Sequence, residues 1–479
     1  MNFKLLTLLF ITAAPFALIA QDGHYWTQQY GTKSILLSNS VIGGTDDLGA
    51  VYYNPGRLAV ISNAAFLLSA NVYEYTSLTV TDAFGNGQKY NRSDIKGVPT
   101  LAAGTFKIKN LPKHFFAYSI LTRQSSNINF SFRGEENKDV IAALPGNEYF
   151  GAEAAFSQSS SEQWIGLTWS YAVSPKISVG VTTNYTTNNQ SKGININLQA
   201  LSASNEVALY RFDRSFTFNK SGLLWKAGLA AQAGKWQLGL TVTTPMVNMS
   251  GNGSYRYEEF FSSIPSLAKP ESYSTSYQKG LATTNKTPWS VGMGASRKLG
   301  RNTIHLSTEW FAAVSKYSMM RAADHISQSN PNDTIRFNLV DQFKSVWNAG
   351  IGAELYINDR ISGFASFSTD FTAVTSDMSR FVEKMPEAYS SSWNADFYHF
   401  GGGIVLKLKG ADITLGATHT GCTQSIVRPI NFPENPSSPI FNSGDTSDLR
   451  WDRWRLVFAF SFPFLKDYAK KFTGEEEKK

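Results

Sequence analysis

From Asn63 onward, apolar and polar residues alternate along the chain with a period of two. Trp236, Leu238, Leu240 and Val242 share one face of a predicted strand, and Gln237, Gly239, Thr241 and Thr243 the other. Ile304, Leu306, Trp310, Ala312 and Val314 oppose His305, Ser307 and Glu309 in the same way. Trp347, Ala349, Ile351, Ala353 and Leu355 oppose Asn348, Gly350, Gly352 and Glu354. Successive side chains of a strand point to opposite faces, so this is the pattern of half-buried strands. A soluble β-sandwich shares that period, but its polar face carries many Lys and Glu. Here the polar face is mostly Gly, Ser, Thr and Asn, the lining expected of a barrel lumen. The apolar face then points into hydrocarbon, with Trp164, Trp169, Trp236, Trp310, Trp347, Trp393, Trp451 and Trp454 placed to form interfacial girdles.

The connections sharpen the reading. Very short links occur at 174–176, 233–235, 299–301, 357–359 and 409–411, with a slightly longer one at 109–113. Between them lie long polar stretches at 81–96, 134–162, 188–221, 250–287, 322–341, 377–392 and 426–449. Six short links and seven long ones predict fourteen antiparallel strands. Short turns on one side and long loops on the other are the habit of bacterial outer-membrane barrels, and an even count puts both chain ends on the periplasmic side.

Composition agrees. Only 17% of the 479 residues are charged and 14% are aromatic, while the mean hydropathy is −0.22. After the N-terminus no apolar run approaches the ~20 residues of a membrane-spanning helix. The excess of 44 Lys and Arg over 37 Asp and Glu is spread thinly along the sequence, with no basic-aromatic cluster, which points away from nucleic acid. One cysteine, Cys422, excludes an internal disulfide framework.

Residues 1–20 read as an export signal: Lys4, an apolar stretch from Leu5 to Ile19, then a cut after Ala20. Residues 21–62 are small and glycine-bearing, without alternation. A fourteen-stranded barrel leaves a bore that leaks unless filled, and this segment lies on the side to fill it, as an N-terminal plug or hatch. Residues 63–464 form the barrel and 465–479 a charged tail.

Within the plug segment stand Gly43-Gly44-Thr45-Asp46-Asp47 and then Ala50-Val51-Tyr52-Tyr53-Asn54-Pro55-Gly56-Arg57-Leu58-Ala59. At these residues the chain resembles the long-chain fatty acid transporter (FadL/TodX) family of outer-membrane proteins. Arg57 stands where that family commonly has glycine. The resemblance implies passive uptake of hydrophobic compounds, with a ligand entering from the outer loops and leaving after a hatch movement, often through a lateral opening. It makes Asp46, Asp47, Asn54, Pro55, Gly56 and Arg57 the hatch motif. Proline fixes φ and Gly56 permits φ > 0, which suits either a mobile element or a rigid sealing turn. Asp46 and Asp47 are placed to pair with Arg57 or to serve as solvated turn residues. The last strand, with Trp454, Leu456, Phe458, Phe460, Phe462 and Phe464 on one face, resembles the segment read by the outer-membrane barrel assembly machinery.

No hydrolase elbow, phosphate loop, zinc motif or calcium loop is present, and no cofactor or metal is expected. His305 and Glu309 share a predicted lumen face, as a hydrogen-bonded pair or, less in keeping with the rest, an acid-base pair of a lipid-modifying enzyme. The expected partners are a hydrophobic small-molecule ligand, outer-membrane lipid and the assembly machinery. The competing role is a structural partner of an outer-membrane protein-secretion translocon.

Overall fold

The computed structural model describes residues 19–20, 23–61, 66–83, 87, 89–108, 110–139, 144, 146–262, 271–375, 384–391, 394–409, 411–428 and 445–462. The expected signal segment up to residue 18, Trp393, Phe464 and the tail lie outside them.

Period-two alternation produces one dominant antiparallel sheet that closes on itself. We number its strands β1 (Phe66–Thr81), β2 (Lys89–Phe106), β3 (His114–Lys138), β4 (Glu148–Ser174), β5 (Ile177–Leu201) and β6 (Val207–Ala233). Two interrupted strands follow, β7 (Trp236–Thr243 and Val247–Ser262) and β8 (Ser272–Ala282 and Ser290–Leu299). The rest are β9 (Asn302–Phe311), β10 (Val346–Asn358), β11 (Ile361–Asp370), β12 (Phe397–Leu408), β13 (Ala411–Val427) and β14 (Thr446–Phe462). Each pairs with its sequence neighbours, and β1 pairs with β14, so the described strands form a ring of fourteen. Closure leaves no sheet edge around the lower wall, the condition for β-structure in hydrocarbon.

One end of the ring carries tight reversals, such as Ala233↔Trp236 and Leu299↔Asn302. At the other end the wall is strongly uneven. Strand β4 has 27 residues and β9 has 10. At ~3.3 Å per residue β4 is about 90 Å long, where ~9–11 residues suffice to cross the hydrocarbon.

The stretches expected as long loops at 134–162, 188–221 and 250–287 are therefore mostly strand. The reason is a phase inversion. On β4, Ile165, Leu167 and Trp169 face outward and are exposed, while Gly166, Thr168 and Ser170 face inward. Higher on the same strand, Ala152, Ala154 and Phe156 are the buried residues, and Ser157 and Ser159 the exposed ones. Strand β5 does likewise, with Ile194, Ile196 and Leu198 inside. Below, the apolar face meets lipid. Above, water surrounds the sheet and the apolar face turns to the core. This upper core gathers Phe212, Phe216, Phe218, Tyr255 and Tyr257 against a small inner sheet (Val314–Arg321, Asn338–Phe343 and Glu387–Tyr389). Its lining is aromatic and aliphatic, so the Gly/Ser/Thr/Asn lumen expected throughout holds only in the lower wall.

Two of the expected girdle tryptophans are interior: Trp164 and Trp451 are buried, whereas Trp169, Trp236, Trp347 and Trp454 are exposed.

Candidate functional site: the plug and its wall pocket

Residues 23–61 lie inside the ring and are almost wholly buried. They are held as short turns: a 3-10 turn at Ser34–Leu37, one helical turn α1 at Ala50–Tyr53 and a second 3-10 turn at Pro55–Val60. Apolar burial comes from Tyr30, Ile35, Leu36, Val41, Leu48, Val51 and Tyr53 packed on Leu101, Ala117, Leu121 and Val457 of the wall.

Asp47 organises the first half. Its Oδ2 accepts N–H bonds from Thr32 (2.8 Å), Lys33 (2.7 Å) and Ser34 (3.0 Å), and its Oδ1 one from Gly49 (2.9 Å). Burial, and then Asp46, push its carboxyl above the usual range, against the pull of the Ser34 and Gly49 bonds. Asp46 turns the other way to Lys33 Nζ at 3.2 Å. Neither aspartate makes an ion pair with Arg57, whose Nε donates to the Thr45 carbonyl at 3.0 Å. Arg57 is buried, and burial lowers its pKa while Asp46 opposes that effect.

Asn54 organises the second half. Its Oδ1 accepts from Gly56 N (3.0 Å), capping the Pro55–Val60 turn, and its Nδ2 donates to the Ile42 and Leu229 carbonyls (both 3.0 Å). Pro55 sits at the first position of that turn, where its missing N–H costs nothing. Gly56 is not in the left-handed region. A side chain there would meet the Gly228 carbonyl at 2.8 Å, and its own carbonyl accepts from Ser170 (3.2 Å) and Ser178 (2.7 Å). Glycine is required by close approach rather than by φ. The wall reciprocates: a Cβ on Gly239 would lie 2.1 Å from the Ile42 oxygen, and one on Gly294 2.4 Å from Gly43 N.

Above the plug, charged side chains from the wall converge. Asp370 Oδ1 accepts from Tyr25 N (2.9 Å) and Trp26 N (3.0 Å), while Trp26 Nε1 donates to Glu309 at 2.9 Å. A β-bulge between Thr122 and Gln124 turns Arg123 inward, where it donates to the Tyr25 carbonyl at 2.8 Å. At this height the β2–β3 ladder has ended, its last pair being Leu101↔Leu121. Arg123 lies over Trp164 (6.0 Å) and Lys226 over Tyr52 (4.9 Å), with Lys226 3.8 Å from Glu309.

These groups line a cavity of ≈ 40 Å³ with Tyr25, Leu224, Thr243, Thr244, Thr287, Pro288 and Phe311. Its far wall is a defect in the barrel. The β7–β8 ladder stops at Thr243↔Ser290 and restarts at Asn252↔Ala282. Pro245 and Pro288 lie within the interruption and have no N–H to offer. Lys286 and Thr287 pair instead with Ala20 and Ile19. Side chains span the opening: Asn248 Nδ2 donates to Asn285 O (2.8 Å), Asn285 N donates to Asn248 Oδ1 (2.9 Å), and Met246 N donates to Thr287 Oγ1 (2.7 Å).

His305 and Glu309 are both buried and inward but do not pair. His305 meets Ser296 Oγ at 2.8 Å, and Glu309 meets Ser290, Trp26 and Lys226. The hatch motif lies below the cavity and contributes none of its lining. Arg123, Leu224 and Lys226 escaped sequence reasoning, although one signal was present. Arg123 and Lys226 are cations inside apolar alternation at lipid depth, where an ionisable residue marks a functional site by default.

No family model matches the chain, and no curated protein matches it. Solved structures do. The toluene transporter TodX of P. putida matches at 10% identity over 91% of this chain and 99% of its own, with a TM-score of 0.52. A TodX monoaromatic hydrocarbon channel variant matches at 12% identity over 91% of this chain and 100% of its own, TM-score 0.55. The monoaromatic hydrocarbon channel CymD matches at 10% identity, 91% and 98% coverage, TM-score 0.51. The chain thus has the fold of the FadL/TodX outer-membrane channels.

Proposed function

We propose that this barrel is an outer-membrane channel for passive uptake of hydrophobic compounds, including amphipathic ones with an anionic head such as long-chain fatty acids. The short-turn end and both termini face the periplasm, and residues 21–62 act as the hatch. The observation carrying this reading is the position of the cavity: between an aromatic upper core, a plug and an interrupted wall. An apolar molecule gains roughly 25 cal/mol for each Å² withdrawn from water, so the upper core attracts it. The interruption between β7 and β8 offers a lateral way into the bilayer without passage through the sealed bore. Arg123 and Lys226, desolvated beside Trp164 and Tyr52, suit an anionic head group. At ≈ 40 Å³ the cavity holds no such ligand as it stands, so transit requires Tyr52 or the Asn54-Pro55-Gly56 turn to move.

The test is uptake by liposomes carrying the purified barrel, using a fluorescent fatty acid and a neutral aromatic in parallel. Saturable uptake of either supports the proposal, and rates equal to protein-free liposomes end it.

A second reading, a structural subunit of a protein-secretion complex, draws on the polar-faced sheet that projects well past the lipid band. It predicts stable co-purification with a translocon and no uptake.

A further inference from the structure

Folding concentrates a charge that the sequence scatters. Each of the six reversals at the short-turn end presents an exposed cation: Lys113, Lys176, Lys235, Arg301, Arg360 and Lys409. Lys107, Arg297, Lys298 and Lys407 flank them, also exposed. Among the described residues the exposed acids at this end are Asp359, bound to Arg301, and Asp46, bound to Lys33. Glu354 and Asp412 are half-buried. Ten exposed cations at this end thus stand against two exposed and two half-buried acids among the described residues.

These cations belong to a lipid boundary. Arg297 pairs in register with Trp236, and its guanidinium lies 5.0 Å from that ring. Their outward row continues through Leu238 to Leu240 and Met293, all exposed on the face that meets acyl chains. Arg297 has no ion pair among the described residues, nor do Lys176, Lys235 and Lys298. An unpaired guanidinium stacked on an interfacial tryptophan, one step beyond the apolar band, sits at the depth of a phosphate group.

We infer that the short-turn rim is a binding ring for anionic phospholipids, with Arg297, Trp236 and Lys235 forming its best-defined headgroup site. The inference rests on the chain being bilayer-embedded, as in the proposed function. An acidic protein partner is disfavoured by distribution, because the cations encircle the barrel rather than crowd one side, as an annulus of lipid does.

The experiment uses the full mature barrel, reconstituted into nanodiscs of zwitterionic phosphatidylethanolamine and anionic phosphatidylglycerol in known ratio. Native mass spectrometry then counts the lipids retained. The expected result is phosphatidylglycerol enriched about threefold or more over its supplied share. The combined variant Lys176→Gln, Lys235→Gln, Arg297→Gln, Lys298→Gln should return retention to the bulk ratio. Lys279→Gln, at the opposite end, should leave the enrichment intact. Should the combined variant not fold, washing the natural protein in about 1 M salt, which shortens screening to ~3 Å, should strip the anionic lipid. Retention at the supplied ratio overturns the inference. So does enrichment that survives both the substitutions and the salt, or capture of an acidic protein without lipid enrichment. No cargo is present, so failure of uptake and failure here are separable.

Discussion

Asn248 and Asn285 exchange hydrogen bonds of 2.8 and 2.9 Å across a stretch of wall where the backbone ladder between β7 and β8 is missing. A side-chain amide here does the work of two backbone groups. Unlike a ladder, it opens by a single rotamer change.

Asn248→Ala removes that bridge and leaves the Asn285 N–H and carbonyl without their partner. The expected cost is about 1–3 kcal/mol in stability. Uptake of a neutral aromatic by liposomes should rise several-fold if the window is the exit. An unchanged rate beside a lowered unfolding temperature assigns the pair a purely structural role.

Asp47→Asn replaces an all-acceptor group by one that presents N–H₂ to N–H donors. Four backbone donors converge on the carboxylate, so at least one loses its acceptor, at about 1–3 kcal/mol. The first half of the plug should loosen, seen as larger and noisier single-channel conductance in planar bilayers.

Gly239→Ala tests the fit between plug and wall from the other side. The new Cβ would fall 2.1 Å from the Ile42 oxygen, so the plug backbone must retreat. Conductance should rise while the barrel keeps its heat-modifiable mobility on gels. A silent variant would show that the wall yields instead.

Lys226→Met separates ligand classes. Glu309 retains Ser290 and Trp26 as donors, and removing one member of a buried pair costs about 3–5 kcal/mol. Uptake of the fluorescent fatty acid should fall at least tenfold against a small change for the neutral aromatic. Equal losses would place Lys226 in the structure of the pocket rather than in head-group recognition.

The lower barrel was legible because lipid imposes a simple rule: apolar out, small or polar in, with turns of two or three residues. The upper strands were not. Ser157, Ser159, Asn195 and Asn197 read as loop because their polarity is judged against a single environment, while the environment changes from hydrocarbon to water partway up each strand. Tracking which parity is apolar, rather than whether alternation persists, recovers β4 and β5 to their full lengths. The expectation of a plug came from the size of the bore and carried no information on how that segment is bonded. Arg57, in the same motif as Asp46 and Asp47, looks like their ion-pair partner in sequence. In three dimensions backbone donors claim one aspartate and Lys33 the other. The cavity joins residues from the plug and from strands scattered between Arg123 and Phe311, and only ring closure brings them together.

The parity switch has a consequence for how the molecule rides in its bilayer. Strands β4 and β5 change allegiance at about the same height, between Ser159 and Ile165 and beside Asn189 and Tyr185. The barrel therefore carries its own waterline. Sinking it by one residue pair, ~7 Å, would drown hydroxyls and amides among acyl chains. Raising it equally would strand isoleucine, leucine and tryptophan in water. Draught is set by the protein itself, and a thicker or thinner membrane must deform to meet it.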